Sequence, residues 1–342
     1  MRVWIALFTF LSLGSLSQAQ QRMIYDDDCS QDVDCVATLP ILYALEDRGE
    51  IGILAMVADS ANPLTAPVMK VFAKYAGHSQ TPIGANQSSD PATQLCVSNQ
   101  CNVSDWTAGL VARFDAGDTR ANYPDCVSVY RRALAHEPVH SVAIVVTGFA
   151  PCLNQLLASG PDATSKLSGA ELVKQKVKLL SVMGGRYPEG KEWNFESDAP
   201  GFHKLFTQWT KQNGYPPVYF NGFANGLYVL AGSPATASPM TDPTKYGLDL
   251  AKTSQRPMWD MLSVLFAARG LAYHGVAYFT LSRPGTITLD AQTGADQWSS
   301  EVDSGHYVLT NAASNETFSA LFDGYAHSGF LAKPEAKHTA SK

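Results

Sequence analysis

The chain has 342 residues, of which 45% are hydrophobic and 16% are charged. This composition is ordinary for a globular protein, and the length is sufficient for a large buried core. The formal net charge of −6 and the lack of a dense Lys/Arg run argue against a nucleic-acid polymer as partner. No interior segment approaches the about 20 apolar residues that span a bilayer, which argues against a membrane protein.

The N-terminus has the pattern of a secretory signal peptide. Arg2 precedes a short apolar run over residues 3–16, and Ser17-Gln18-Ala19 is a small-x-small exit. We therefore predict a signal peptide over residues 1–19 and a secreted protein, which would be periplasmic in a bacterium. The alternative is an N-terminal membrane anchor, although the apolar run is short for a spanning helix.

Short apolar runs then alternate with longer amphipathic segments along the chain. The runs that predict buried strands cover residues 22–25, 52–58, 142–148, 177–185 and 217–223. The segments that predict helices cover residues 39–49, 63–77, 126–137, 170–175 and 200–212. This alternation predicts an α/β fold with a mostly parallel central sheet that is flanked by helices on both faces.

Two parts of the chain depart from this alternation. Residues 86–120 are polar and are predicted to form a loop, whereas short β-like runs at 276–282, 285–290 and 306–310 follow Gly270. No internal repeat or linker-like change of composition is visible. We therefore expect one domain over residues 20–332 and a mobile tail over residues 333–342.

The cysteines and glycosylation motifs agree with secretion. An even number of cysteines suggests disulfides in an oxidising compartment, but six allow 15 pairings and the sequence does not choose among them. Cys96 and Cys101 are the best local pair, because they lie close together in a polar segment. The six are Cys29, Cys35, Cys96, Cys101, Cys126 and Cys152. N-x-[ST] glycosylation motifs begin at Asn86, Asn102 and Asn315.

An acidic segment follows the first predicted strand. The sequence YDDDCSQDVDC, residues 25–35, holds five aspartates in nine positions and no lysine or arginine. Ligands bind outside the carboxyl ends of strands in open parallel sheets. A hard cation would neutralise clustered carboxylates there, and Ca²⁺ takes 6–8 oxygen ligands. The alternative is a solvated acidic turn in which aspartates cap the following helix.

Two other acidic motifs fit the segment less well. Residues 26, 28, 30 and 32 have the spacing of an EF-hand, but Gln31 replaces its glycine and Ala37 its bidentate glutamate. A strand followed by D-x-D is also typical of phosphatases of the haloacid dehalogenase type. That family needs a later lysine and a further acidic pair, and no convincing set is present.

The segment resembles the D-x-D-x-G-x-D-D signature of the inosine–uridine-preferring nucleoside hydrolases. It is closer to a longer form of that signature, D-T-D-x-G-x-D-V-D-D-A, and stands here as DDDCSQDVDCV over residues 26–36. The resemblance continues in chain order through most of residues 22–270. The later matching segments are ADSANP (58–63), TPIGA (81–85), VVTGFAPCLN (145–154), VMGGRYPEGKEWNFESD (182–198) and RPMWDMLSVLFA (256–267).

The resemblance implies that the protein hydrolyses the N-glycosidic bond of ribonucleosides to ribose and a free base. It implies a Ca²⁺ ion held by Asp28, by Asp32 or Asp34, by the carbonyl of Thr147 and by Asp260. Asp28 would also be the general base that takes a proton from the attacking water. The residues implied at the substrate are Asn62, Met183, Glu192, Asn194, Trp259 and Asp260.

Three departures from the family pattern bear on this interpretation. Cys35 stands where the family has the second of its paired aspartates, so that Asp32 or Asp34 must replace it. Ser30 stands where the family has glycine. Trp259 stands where inosine–uridine members have a histidine that is thought to protonate the base. A tryptophan is not an acid, although it can stack on a base.

The sequence therefore predicts a secreted, Ca²⁺-dependent nucleoside N-ribohydrolase whose partner is a small nucleoside. The alternative from another class is a non-catalytic nucleoside- or sugar-binding relative with the same fold. Family members are often dimers or tetramers, and nothing in this sequence identifies an interface. The sequence does not indicate which base is preferred.

Overall fold

A computed structural model of the protein describes residues 20–29, 32–89, 105–115 and 117–330. The predicted signal peptide, the predicted Cys96–Cys101 pair, the Asn102 motif and the C-terminal tail lie outside these residues. Within them, no helix combines the length and the apolar character needed to cross a membrane.

Strands occur at nearly all the predicted places and at several others. They are β1 (Gln21–Asp27), β2 (Ile51–Ala58), β3 (Ile83–Ala85), β4 (Val142–Val146), β5 (Val177–Met183), β6 (Glu189–Gly190), β7 (Val218–Asn221), β8 (Leu230–Ala231), β9 (Arg256–Pro257), β10 (Ala272–Tyr273), β11 (Val276–Ala277), β12 (Phe279–Leu281), β13 (Thr286–Leu289), β14 (Asp296–Ser299) and β15 (His306–Asn311).

Helices alternate with the strands of the central sheet. They are α1 (Cys35–Asp47), α2 (Thr65–Tyr75), α3 (Asp105–Phe114), α4 (Cys126–Ala135), α5 (Pro151–Ala158), α6 (Gly169–Lys176), α7 (Trp193–Ser197), α8 (Ala199–Gln208), α9 (Phe223–Gly226), α10 (Pro243–Leu250), α11 (Trp259–Arg269) and α12 (Asn315–Phe330). Short 3-10 helices cover Arg120–Asn122, Lys211–Asn213 and Ser233–Ala237.

The central sheet has eight strands in the order β12-β15-β7-β5-β4-β1-β2-β3. Every pairing is parallel except that of the edge strand β12 with β15. The mostly parallel α/β architecture expected from the sequence is therefore confirmed. Strand β1 lies in the interior of the sheet, so its carboxyl end is flanked by those of β2 and β4.

Helices cover both faces of the sheet and enclose two cores. Alternate residues of β1 face opposite ways, as strand geometry requires. Met23 and Tyr25 pack into the core formed with α1, α2 and α11, whereas Ile24 packs into the core formed with α4, α5 and α8. Burial on both faces explains why these strands are continuous apolar runs in the sequence.

The polar segment after β3 is not entirely a loop, and that part of the prediction is wrong. Residues Asp105–Phe114 form α3, in which Trp106, Leu110 and Val111 are buried. The polar residues around the helix conceal its short apolar face. Packing of this face against its neighbours stabilises the helix, because tertiary contacts outweigh local composition.

Two disulfides join described cysteines, and no described cysteine is free. Cys29 is bonded to Cys35 and Cys126 to Cys152, with Cα–Cα distances of 5.6 and 6.0 Å. The glycosylation motif at Asn86 begins at a side chain that is closed to solvent in the folded chain. The Asn86 side chain is fully buried, and its Nδ2 atom donates to the backbone oxygen of Asp59 at 2.8 Å.

Cys96 and Cys101 lie outside the described residues, and their pairing stays a prediction from the sequence. Mass mapping of an unreduced digest should show a Cys96–Cys101 peptide beside the Cys29–Cys35 and Cys126–Cys152 peptides. Alkylation before reduction is the control for exchange during digestion. Free thiols at both Cys96 and Cys101 would contradict the predicted pair.

Candidate functional site

A cavity of about 380 Å³ opens where the central strands end, and we name it the acidic cavity. Its volume falls in the range of about 300–1,000 Å³ that is usual for small-molecule sites. It is lined by Asp28, Asp32, Asp34, Thr147, Met183, Glu192, Trp193, Asn194, Phe223, Arg256, Trp259 and Asp260. Every residue that the sequence assigned to the site is among them, except Asn62.

Three parallel strands deliver the first part of the lining. Asp28 follows the last residue of β1, Thr147 follows the last residue of β4, and Met183 is the last residue of β5. Asp260 comes from the first turn of α11, more than 200 residues after Asp28. The fold therefore brings the acidic segment and the late aspartate to one place, as the sequence predicted.

Asp32 and Asp34 have different environments, although both line the acidic cavity. Asp32 accepts two hydrogen bonds from the guanidinium of Arg256, from Nε at 2.7 Å and from Nη2 at 2.6 Å. Asp34 is 5% exposed and sits at the N-cap of α1, yet its side chain makes no capping hydrogen bond. Helix capping, the alternative function proposed for these aspartates, thus does not account for the Asp34 carboxylate.

The disulfide between Cys29 and Cys35 closes the acidic segment into a small ring. Both cysteines are 1% exposed, and Cys35 is the first residue of α1. Because its sulfur is bonded to Cys29, Cys35 does not supply a metal ligand where the related signature has an aspartate. This leaves Asp34, which is not paired with Arg256, as the available carboxylate in the ring.

The backbone of Asp28 is fixed from two sides. The hydroxyl of Thr65 donates to the Asp28 carbonyl oxygen at 2.8 Å. On the other side, a Cβ atom at Gly148 would lie 2.4 Å from the Asp28 nitrogen and 2.4 Å from a carboxylate oxygen of Asp59. Position 148 therefore requires glycine, and the close approach holds Asp28 at the wall of the acidic cavity.

Burial and mutual repulsion make the carboxylates of the acidic cavity weak acids. Burial, with Asp34 and Asp27 nearby, raises the pKa of Asp260 well above its usual range. Burial and the charges of Asp32 and Asp27 do the same to the pKa of Asp34. The pKa of Asp28 is also raised, by burial and by Asp27. A cation in the cavity would reverse these shifts, because it favours the ionised carboxylates.

Asp27 is the most isolated of the buried acids. Its side chain is fully buried, and neither carboxylate oxygen has a hydrogen bond of normal geometry. Burial raises its pKa to about 6, although the amide of Cys29 and the hydroxyl of Tyr25 oppose the shift. This buried carboxylate adds negative charge next to Asp28, which a nearby cation would offset.

The donor atoms of these acids do not form a compact ligand set. Asp27, Cys29 and Cys35 place one donor atom each within 4.8 Å of the others. Within the described ranges, no other three His, Cys, Asp or Glu side chains lie as close together. Those two sulfurs are bonded to each other and are not thiolates. Asp28, Asp34 and Asp260 do not form such a set. Their oxygen chemistry and the adjacent Thr147 carbonyl suit a hard cation such as Ca²⁺.

A second group of buried acids lies behind the cavity. Asp26 accepts a hydrogen bond from the hydroxyl of Tyr130, and Asp59 accepts one from the Phe149 amide at 2.6 Å. The Ala150 amide donates to Asp198 at 2.9 Å. These acids were not assigned a role from the sequence, although Asp59 begins the DSANP run after β2. Asp59 and Asp198 thereby fix the backbone that follows β4 at Phe149 and Ala150.

Glu192, Asn194 and Met183 form the wall beside Thr147. The Nδ2 atom of Asn194 donates to the Thr147 oxygen at 2.9 Å and lies 3.2 Å from the Met183 sulfur. The Glu192 carboxylate caps α7 by accepting from the amides of Asn194 and Phe195. Burial raises the pKa of Glu192 to about 7 despite these amides. The wall thus offers polar atoms to a ligand with several hydroxyl groups.

The opposite wall is aromatic and carries a positive charge. Phe223 and Trp259 stack with ring centroids 5.5 Å apart, and the Trp259 indole NH donates to the Phe223 oxygen at 2.9 Å. The guanidinium carbon of Arg256 lies 5.8 Å from the centre of the Trp259 ring. Phe223 and Arg256 were not among the residues predicted from the sequence. Arg256 stands three residues before Trp259 in a segment that matches the family, so its position in the sequence could have indicated that it lies near the site.

Asn62 is the predicted residue that the structure does not bring to the acidic cavity. Its side chain is 1% exposed, and its Oδ1 atom accepts from the Leu64 amide at 2.9 Å, just before α2. In this arrangement Asn62 shapes the turn between β2 and α2. No histidine of the described chain lines the acidic cavity either.

No protein-family model matches the sequence, and no curated protein sequence matches it. Several solved structures have a similar fold. The plant nucleoside hydrolase PpNRh1 is 14% identical, with a TM-score of 0.60 over 90% of this chain and 98% of its own. A purine-preferring ribonucleoside hydrolase from Gardnerella vaginalis is 13% identical, with a TM-score of 0.63 over 91% and 100%.

A third similar structure is the type III effector protein XopQ, solved in complex with adenosine diphosphate ribose. It is 15% identical, with a TM-score of 0.68 over 92% of this chain and 94% of its own. At such identities the similarity concerns the fold, and the chain has a nucleoside hydrolase-like fold. This confirms the architecture that the sequence motifs implied, whereas the inosine–uridine-preferring type stays a prediction.

The buried acids make stability depend on pH. Burial raises the folded-state pKa of Glu192 from 4.5 to about 7 and that of Asp198 from 3.8 to about 7. Their stabilising contribution is complete below the unfolded pKa and is lost as pH rises through about 7. Without added metal, the free energy of unfolding should fall between pH 5 and pH 8, by on the order of 2–4 kcal/mol per group.

Urea unfolding at several pH values, in chelator, would measure this dependence. Asp198→Asn should flatten it, whereas Asp303→Asn on the exposed surface is the matched control and should not. An unfolding free energy that rises from pH 5 to pH 8 would contradict the assignment.

Proposed function

We propose that the protein is an exported, Ca²⁺-dependent nucleoside N-ribohydrolase. In this proposal residues 1–19 are a signal peptide, and the remaining chain to about residue 332 is one catalytic domain. The metal ligands are Asp28, Asp34, the carbonyl of Thr147 and Asp260. Asp34 is preferred to Asp32 because Arg256 already neutralises Asp32 through two hydrogen bonds.

The observation that carries the proposal is the convergence of separate segments on one cavity. Asp28, Asp34, Thr147 and Asp260 line the same 380 Å³ space at the carboxyl ends of the parallel strands. The fold of the chain is that of nucleoside hydrolases, and two of the similar proteins are hydrolases of this kind. Repulsion among four or more buried carboxylates supports a cation as their partner.

Bound Ca²⁺ would lower the pKa of a coordinated water and hold sugar hydroxyls, which are hard oxygen donors like the carboxylates. Ca²⁺ is preferred to Mg²⁺ because Mg²⁺ requires tight octahedral geometry and retains several waters. Ca²⁺ takes 6–8 oxygen ligands in a flexible geometry, which tolerates more variation in the positions of the carboxylates than Mg²⁺ does.

Asp28 is the general base in this mechanism. Its carboxylate removes one proton from water as the water oxygen forms a bond to C1′ of the ribose. The C1′–N bond breaks, and its electron pair leaves with the base. The transition state resembles an oxocarbenium ion. The negative carboxylates around the sugar stabilise its positive charge, and Glu192, Asn194 and Met183 orient the ribose.

The departing base has no imidazole acid within the described part of the acidic cavity. Arg256 supplies a fixed positive charge on the aromatic wall, where it can stabilise negative charge that develops on the base. The base then takes its proton from solvent. Related inosine–uridine-preferring enzymes have a histidine that is thought to protonate the base, and this chain has Trp259 there. In this proposal the rate of cleavage therefore depends more on the contacts that bind the base.

A second candidate function is nucleoside binding without hydrolysis. It is favoured by Cys35, because the disulfide removes one carboxylate ligand from the related signature. One of the similar structures is an effector protein in complex with adenosine diphosphate ribose. A protein with this fold that is described as an effector thus also binds a ribose-containing ligand. The two candidates differ in turnover and share the same cavity.

Asp28→Asn tests the catalytic assignment. Asparagine keeps the shape and one oxygen but does not accept a proton as a base. Hydrolysis of inosine or uridine, followed as released reducing sugar, should fall about 10²–10⁴-fold, with a further loss from weaker metal binding. Asp32→Asn is the matched control. It removes a neighbouring carboxylate that Arg256 pairs, and a smaller loss is expected.

Chelation in the same assay tests whether hydrolysis requires a metal ion. Exhaustive dialysis against EGTA should abolish turnover, and added Ca²⁺ should restore it. Full activity after chelation would contradict the proposed mechanism. If the wild-type protein releases no sugar from any nucleoside while Asp28→Asn still weakens nucleoside binding, the binding candidate is correct and the hydrolase is not.

A further inference from the structure

Three aromatic side chains line the acidic cavity, and two of them are already stacked. Phe223 and Trp259 lie face to face with ring centroids 5.5 Å apart and planes inclined by 25°. Each therefore has one face against the other. The Trp259 indole is also fixed by its hydrogen bond to the Phe223 carbonyl.

Arginines occupy space over the same two rings. The guanidinium carbon of Arg186 lies 4.4 Å from the centre of Phe223, and that of Arg256 lies 5.8 Å from the centre of Trp259. Arg256 is held in place by its two hydrogen bonds to Asp32. A base that stacked on Phe223 or Trp259 would therefore compete with these existing contacts.

Trp193 differs from Phe223 and Trp259 in its exposure. Its side chain is 51% exposed, and no aromatic ring or cation of the described chain stacks on it. Its backbone, however, is fixed at the wall of the acidic cavity. Trp193 is the first residue of α7, and its neighbour Glu192 caps that helix through the amides of Asn194 and Phe195. An indole on a fixed backbone thus stands at the cavity with its faces available.

We propose that Trp193 is the residue that stacks on the base of a bound nucleoside and sets the preference for that base. The proposal rests on the proposed nucleoside site but not on hydrolysis. Glu192 and Asn194, on either side of Trp193, line the same cavity and are the residues proposed to orient the ribose, so an indole between them would be near a base attached to that sugar. An exposed indole is costly in water, and covering it with a planar base removes apolar area from both partners.

Stacking on an indole depends on the area of the base. A bicyclic purine covers more of the indole than a pyrimidine does, whereas free ribose covers none. Trp193→Ala should therefore weaken inosine binding about 10–100-fold, which is the usual effect of removing one base-stacking aromatic side chain. Uridine should lose less, and ribose should be unaffected. Trp193→Phe keeps a smaller stacking face and should restore part of the affinity.

The experiment measures dissociation constants of the Ca²⁺-loaded full-length protein for inosine, uridine and ribose by calorimetry. Where turnover interferes, KM and kcat are compared instead, and Trp193→Ala should change mainly KM. Tyr228→Ala is the matched control, because Tyr228 is 70% exposed and does not line the acidic cavity. Unchanged thermal unfolding of both variants shows that each is folded, as expected for exposed side chains.

Intrinsic fluorescence gives an independent readout. Inosine should quench the tryptophan emission of the wild-type protein, and Trp193→Phe should lose most of that quenching. Equal losses for inosine and ribose in Trp193→Ala, or unchanged inosine affinity, would overturn the role of Trp193 and leave the nucleoside site intact. Failure of the wild-type protein to bind any nucleoside would overturn both proposals.

Discussion

The crowding of buried carboxylates at one edge of the sheet is the constraint on which the rest of the site depends. Asp27, Asp34 and Asp260 are each 6% exposed or less, and their pKa values are raised by burial and by one another. An unpaired buried charge costs several kcal/mol even after the protein relaxes. A cation among these acids would favour their ionised forms, including the carboxylate that the proposed base requires.

Many contacts with the surrounding structure hold these acids in place. Gly148 allows the segment after β4 to pass close to Asp28, and Thr65 fixes the Asp28 carbonyl. The Cys29–Cys35 disulfide closes the acidic segment, and Arg256 removes Asp32 from the set of free carboxylates. The result is a cavity wall in which Asp28 and Asp34 differ from Asp32 by their partners, although all three look alike in the sequence.

Much of the fold could be predicted from the sequence because burial on both sheet faces produces continuous apolar strands. The acidic segment and Asp260 could be assigned to one site because ordered motifs imply a known architecture. Helix α3 was missed because its apolar face is short. Asn62 lies in a matching motif but does not line the acidic cavity, since a motif does not show which way a side chain points. Arg256 and Trp193 both stand in segments that match the family, but the pairing of Arg256 with Asp32 and the exposure of the Trp193 side chain are seen only in the folded chain.

The most direct test is a crystal structure of the protein grown with Ca²⁺, checked with Mn²⁺ and anomalous scattering. One ion should lie in the acidic cavity, bound by Asp28, Asp34, Asp260 and the Thr147 carbonyl, with Asp32 still paired to Arg256. Oxygen–calcium distances should be about 2.3–2.6 Å. An acidic cavity without an ion at millimolar Ca²⁺, or an ion bound through Asp32 and not Asp34, would contradict the account.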